Sequence, residues 1–389
     1  MNNVWKLYAI RFFQSLIPAY VIERLFWEAR GMSIQEVVYT EIIFAVTIIL
    51  LEIPTGVLAD KWSRKRLLVL GAVLACSEFA ILLFATEFWH FAAVVCLAGL
   101  GNTFVSGSET ALLYDSLQAH GKENRFEKVI GRLNAFDAVS ATLAALGGSL
   151  LAHRFGYELN YILSLASAAV ALLAALTLQE PPFKKEDAEA AVPMSEYVRA
   201  SLLFFRHNPG VSLVVLTGMV TGSAIGFIDE FWQIYAERLG VPVLYFGLLS
   251  AAFLFLRLPG NLLAHALLRR FSYRALFLCV SAVFTLGFFL ISIWQSYAGL
   301  AAILVVFLFS GIVDPLASGY LHHRIDSSMR ATMDSFQSLG LYGVHSLIGL
   351  GFGYYSSKLD IFGGFGFIAV LCGAFFAYFW FASKAAAVR

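Results

Sequence analysis

Apolar runs about twenty residues long recur along the whole chain, and no other feature restricts the fold as severely. About 20 apolar residues let an α-helix cross the hydrocarbon of a bilayer. A backbone in lipid has only helices and closed barrels open to it. Windows of that length give twelve candidate helices, at 4–27, 34–59, 66–86, 88–118, 128–153, 157–179, 209–238, 242–268, 273–294, 297–323, 330–356 and 361–383. The expected fold class is therefore an all-α polytopic membrane protein. Composition agrees: 59% of the 389 residues are hydrophobic and 14% charged, where soluble domains sit near 45–50% and about 25%. A net charge of +1 gives no reason to expect a nucleic-acid partner. Cys76, Cys96, Cys279 and Cys372 lie far apart in apolar runs. They read as small core residues, so neither a metal nor a cofactor is expected. Met1 to Leu16 contains Arg11 and no small-residue cleavage site, so the first helix is expected to be retained.

Loop charge sets the expected orientation. With both termini cytoplasmic, twenty Lys and Arg residues fall on the inner side, and only Arg24, Arg30, Arg154, Arg238 and Lys358 on the outer. That is the positive-inside bias. The longest polar segment, 179–210, follows the sixth span. Pro181 and Pro182 stop the helix before it. The expected organisation is a six-helix bundle over 1–180, a cytoplasmic linker over 181–208 and a second six-helix bundle over 209–389. The halves also resemble each other: Glu52-Ile-Pro54 matches Arg257-Leu-Pro259, Asp60 matches His265, and Arg64-Lys65 matches Arg269-Arg270, at equal offsets from the proline. Such an internal repeat is expected of a transporter built from duplicated halves.

Charges inside a membrane are costly, so their placement is informative. Spans six, nine and twelve have essentially none. Arg11, Glu41, Glu52, Glu109, Asp137, Asp229, Glu230, Arg257, Asp314 and His345 fall in the others, with Glu78 in span three. Roughly every third helix is thus apolar, as in a bundle whose third helices face lipid while the rest surround a polar cavity. The plain alternative is that each charge only staples helices together. Asn102, Ser106 and Glu109 share one face of the fourth span. Asp115 lies off that face, near the inner surface. Glu41 and Glu52 are three turns apart and point the same way. Tyr20, Phe227 and Trp232, with Phe12 and Phe13, could supply aromatic contacts to a substrate.

The stretch GVLADKWSRKR, Gly56 to Arg66, resembles the loop signature of the major facilitator superfamily, Gly-x-Leu-Ala-Asp-[Arg/Lys]-x-Gly-[Arg/Lys]-[Arg/Lys], with Ser63 in place of one glycine. The resemblance implies two six-helix domains rocking around a central site. It implies that Asp60 braces the cytoplasmic side, that Arg64 and Lys65 bind neighbouring helix ends and lipid, and that Gly56 admits a close helix. Exporters of the superfamily carry a glycine-rich fifth span ending in Gly-Pro. Here Gly147-Gly148 remain and the Gly-Pro does not.

A cavity with several carboxylates and few bases suits proton coupling, because a desolvated carboxylate can take and lose a proton near neutral pH. The first reading is a proton-coupled exporter of small amphipathic molecules, acting as an inner-membrane monomer whose partners are substrate, protons and lipid. The alternative is a proton-coupled uptake symporter for a nutrient or metabolite; a non-transporting sensor or lipid-binding protein is a reading of another class. Glu109 is the expected proton carrier and Glu52 the next. Asp137 and Arg257 are expected to pair across the halves. No HExxH or GxSxG motif occurs, and an enzyme is not expected.

Overall fold

The structure, a computed structural model, describes residues 2–181, 203–325 and 330–386, with the backbone alone at 2, 53, 57, 59–61, 330–332 and 334–335. Most of the expected linker and the side chain of Asp60 lie outside the described residues. All regular structure within them is helical.

Helix α1 (Asn2–Ser15), a 3₁₀ turn (Pro18–Ile22) and α2 (Glu23–Ala29) occupy the first expected span. The interruption follows from Pro18, which has no N–H for the helical ladder. Groups freed by the break are bonded from α7 (Tyr157–Leu176): Asn160 Nδ2 donates to Pro18 O at 2.9 Å, and Ala19 N donates to Ser164 Oγ at 3.1 Å. Helices α3 (Ile34–Lys61), α4 (Arg64–Leu82), α5 (Phe88–Gln118) and α6 (Phe126–Phe155) complete the first half. Gly71 lets α4 cross α5 closely, since a Cβ there would lie 2.7 Å from Val105 Cγ2.

In the second half come α8 (Pro209–Arg238), α9 (Phe246–Leu268), α10 (Tyr273–Ile293), α11 (Tyr297–Ser310), α12 (Val313–His322) and α13 (Arg330–Ala385). The 56 residues of α13 would run roughly 84 Å as one rod, far beyond a hydrocarbon core of about 30 Å. The rod is broken at Leu359 and Asp360, whose φ/ψ are not helical. Asp360 has φ 55° and accepts from Arg238 Nε at 2.8 Å, which ties the break to the end of α8.

Among the described residues, nine helical stretches are long and apolar enough to cross a membrane. The chain is a multi-pass membrane protein. Its described residues form two compact units. Those of Met1–Met32, Thr40–Ala190 and Val241–Ala251 make one, and those of Ser33–Tyr39, Ala191–Gly240 and Ala252–Arg389 the other. The start of α3 and the start of α9 thus join the unit opposite in sequence. Gly353 of α13 packs against Val38, where a Cβ would lie in ordinary contact at 3.4 Å from Val38 Cβ. Gly247 lets the start of α9 approach α6 closely, since a Cβ there would meet Ala145 O at 2.5 Å. Each unit has its own core. Leu7, Leu68, Leu112 and Leu133 are buried in the first, and Val214, Phe277, Leu316 and Phe379 in the second.

Candidate functional site

In the first unit three membrane-embedded charges meet where α1, α5 and α6 converge. Arg11 of α1 forms an ion pair with Glu109 of α5. Ser15, one turn further along α1, donates to Asp137 of α6. Asp137 is close enough to Glu109 for the two carboxylates to repel. Glu109 is 5% exposed, and its Oε1 and the Nε of Arg11 are buried without a hydrogen-bond partner. One base thus faces two acids, and the cluster keeps unused donor and acceptor capacity. A proton arriving on either acid would offset that surplus.

The face expected to join Asn102, Ser106 and Glu109 is divided. Glu109 turns to Arg11, while Ser106 is exposed and bonds weakly to Thr103 O at 3.4 Å. Asn102 lines a cavity of about 310 Å³ with Gln14, Tyr20, Phe44 and Glu78. The expected aromatic Tyr20 is therefore placed beside Glu78, a residue assigned no role from sequence. Glu41 pairs with Arg24 at 2.5 Å. Glu52 is half-buried in α3 and has no ion pair among the described residues.

In the second unit Arg257 of α9 binds Asp229 of α8, at 2.5 and 2.7 Å to its two oxygens. Its guanidinium lies 4.7 Å from the centroid of Phe307. Asp137, the expected partner of Arg257, accepts from Ser15 of its own unit. Gly311 fixes the depth of Arg257: a Cβ there would fall 2.1 Å from Arg257 O. Asp314 is exposed, in the first turn of α12. Two expected substrate aromatics belong to the core instead. Phe227 is 1% exposed and stacks on His345 with centroids 4.3 Å apart. Trp232 is buried edge-on to Phe253 at 5.2 Å.

The loop signature is also only partly as expected. Arg64 pairs with Asp115 in the last turn of α5. Glu180 caps α4, accepting from Arg64 N and Lys65 N at 3.0 Å each and from Ser63 Oγ. Sequence reading left Glu180 as one residue of the polar segment 179–210. The available signal was an acid just past a helix end, facing orphan N–H groups at the start of another. Among the described residues, a Cβ on Gly56 would find no atom within 4 Å.

A family comparison decides the class: Major Facilitator Superfamily matches residues 7–336. The chain belongs to the major facilitator superfamily. It is similar to an uncharacterized transporter of Buchnera aphidicola, 24% identical over 206 residues, 50% of this chain and 51% of that one. It is also similar to multidrug resistance protein MdtH of Yersinia pestis, 30% identical over 120 residues, 31% of this chain and 28% of that one. The matches thus span about half, and under a third, of these relatives' lengths. Among solved structures the nucleoside transporter NupG matches with TM-score 0.80 at 13% identity, covering 99% of this chain and 100% of that one. A D-xylose-proton symporter matches with TM-score 0.72 at 12% identity, covering 97% and 96%. These two likenesses show that the superfamily fold extends over nearly the whole chain. As a superfamily member the chain is a carrier rather than an enzyme.

Proposed function

We propose that the protein is a proton-coupled secondary transporter that takes up a small polar metabolite by alternating access. The observation that carries the reading is the Arg11–Glu109–Asp137 cluster. A half-buried base with two acids can exist in two protonation states, and a carrier can link those states to two conformations. Uptake is favoured over export because the likeness along the full chain is to proteins named as a nucleoside transporter and a D-xylose-proton symporter. Export is the second reading, favoured by the partial similarity to MdtH. We further propose twelve spans in two six-helix bundles, 1–180 and 209–389, joined by a cytoplasmic linker over 181–208, with both termini cytoplasmic. Glu109 is the proposed proton carrier. Asp60, with Arg64 and Lys65, is the proposed cytoplasmic brace. Uptake of labelled nucleosides and pentoses into right-side-out and inverted vesicles tests direction. Accumulation in right-side-out vesicles under an inward proton gradient supports uptake, and accumulation only in inverted ones refutes it.

A further inference from the structure

At the end of the first unit where α5 passes into α6, four bases surround a small hollow. Lys122, Arg125, Lys128 and Arg132 line a cavity of about 180 Å³ together with Trp5, Tyr8, Leu117 and Val129. The clustering follows from helical spacing. Arg125, Lys128 and Arg132 stand at i, i+3 and i+7, on one face at the start of α6, while Trp5 and Tyr8 stand three apart on α1.

Several other basic residues near helix ends are already engaged. Arg64 is held by Asp115, Arg66 lies over Trp62, Arg274 donates to Ser383, and Arg324 lies over Tyr320. By contrast, the side chains of Arg125, Lys128 and Arg132 have no hydrogen bond, ion pair or ring contact among the described residues. Glu123 and Glu127, the acids of the same loop, are exposed and do not line the cavity. A second observation is independent of charge. Tyr8 is 4% exposed, and its hydroxyl is buried without a hydrogen-bond partner. Its ring is fixed by stacking on Phe136 with centroids 5.1 Å apart.

We propose that this cavity binds the phosphate of an anionic phospholipid headgroup. The bases supply charge, the Tyr8 hydroxyl supplies one directed hydrogen bond, and Val4, Leu117, Val129 and the exposed Trp5 ring carry the first apolar atoms of the lipid. A wall half basic and half apolar fits an amphiphile better than a free anion. Trp5, 63% exposed, is the kind of ring that settles at a membrane interface.

The test uses the full chain in phosphatidylcholine vesicles, with or without phosphatidylglycerol bearing a nitroxide near its headgroup. Nitroxide-labelled phosphatidylglycerol is expected to quench a component of tryptophan fluorescence that is missing in Trp5→Phe. Labelled phosphatidylcholine is expected not to quench it. Each base near a membrane surface contributes about fivefold to lipid affinity, so Arg125→Gln/Lys128→Gln/Arg132→Gln should weaken binding about a hundredfold. Tyr8→Phe should weaken it about fivefold. A control triple, Arg206→Gln/Arg269→Gln/Arg270→Gln, removes equal charge elsewhere and should leave quenching intact. Equal loss in both triples would mean diffuse charge and overturn the proposal, as would unchanged binding in the first. Displacement of the lipid by inorganic phosphate at comparable concentration would assign the site to a soluble anion and also overturn it. None of these readouts depends on transport.

Discussion

Arg11 and Glu109 show what a membrane-embedded charge costs and why it is kept. Removing one partner strands the other in a medium where an unpaired charge is expensive. Glu109→Gln and Arg11→Gln should each lower the Tm of the purified protein, while the double variant recovers at least half of the loss. Additive losses would contradict the pair. Gradient-driven flux should stay low in all three, about tenfold or more below wild type, because the titrating group is gone in two and has lost its paired base in Arg11→Gln. The same logic applies in the second unit. Asp229→Asn and Arg257→Gln should couple by about 1 kcal/mol or more. These charges were legible in the sequence as acids and bases inside apolar runs. Their partners were not, because pairing depends on the depth and rotation of each helix. Glu78 lost its significance for the same reason: only packing places it beside Tyr20 and Asn102.

Helix limits were far more legible than helix interruptions. Spans expected at 88–118 and 209–238 coincide with α5 and α8, since length and hydropathy determine where a helix can lie in a bilayer. The breaks before Pro18 and at Gly311 were not foreseen. The first depends on Asn160 and Ser164, which bond the freed backbone from another helix. At the start of α4, Glu180 replaces missing backbone partners, an arrangement worth about 1 kcal/mol. Glu180→Ala should therefore speed amide exchange at Arg64 and Lys65 about fivefold, measured by hydrogen–deuterium exchange, with amides in the middle of α4 unchanged. Glycines in the two halves should also differ. Gly311→Ala drives a Cβ into the Arg257 carbonyl and should lower Tm sharply, whereas Gly56→Ala meets no atom among the described residues and should not. A large Tm loss at Gly56 would support the close approach expected from the loop signature.

At the scale of the whole molecule, the sequence made the membrane class and the superfamily legible through repeated apolar runs and the stretch from Gly56 to Arg66. Transport direction was not legible there, because an exporter and a symporter use the same helices and the same buried carboxylates. The chain lacks the Gly-Pro of the exporter fifth span, and uptake is the direction proposed. The central claim is therefore that substrate and proton move in the same direction. The direct measurement is internal pH in proteoliposomes loaded with a pH-sensitive dye, followed as nucleosides, pentoses or short peptides are added outside without an imposed gradient. Symport predicts that a transported compound acidifies the interior in wild type and not in Glu109→Gln. A compound that enters, shown by label, while the interior turns alkaline or keeps its pH would contradict the account.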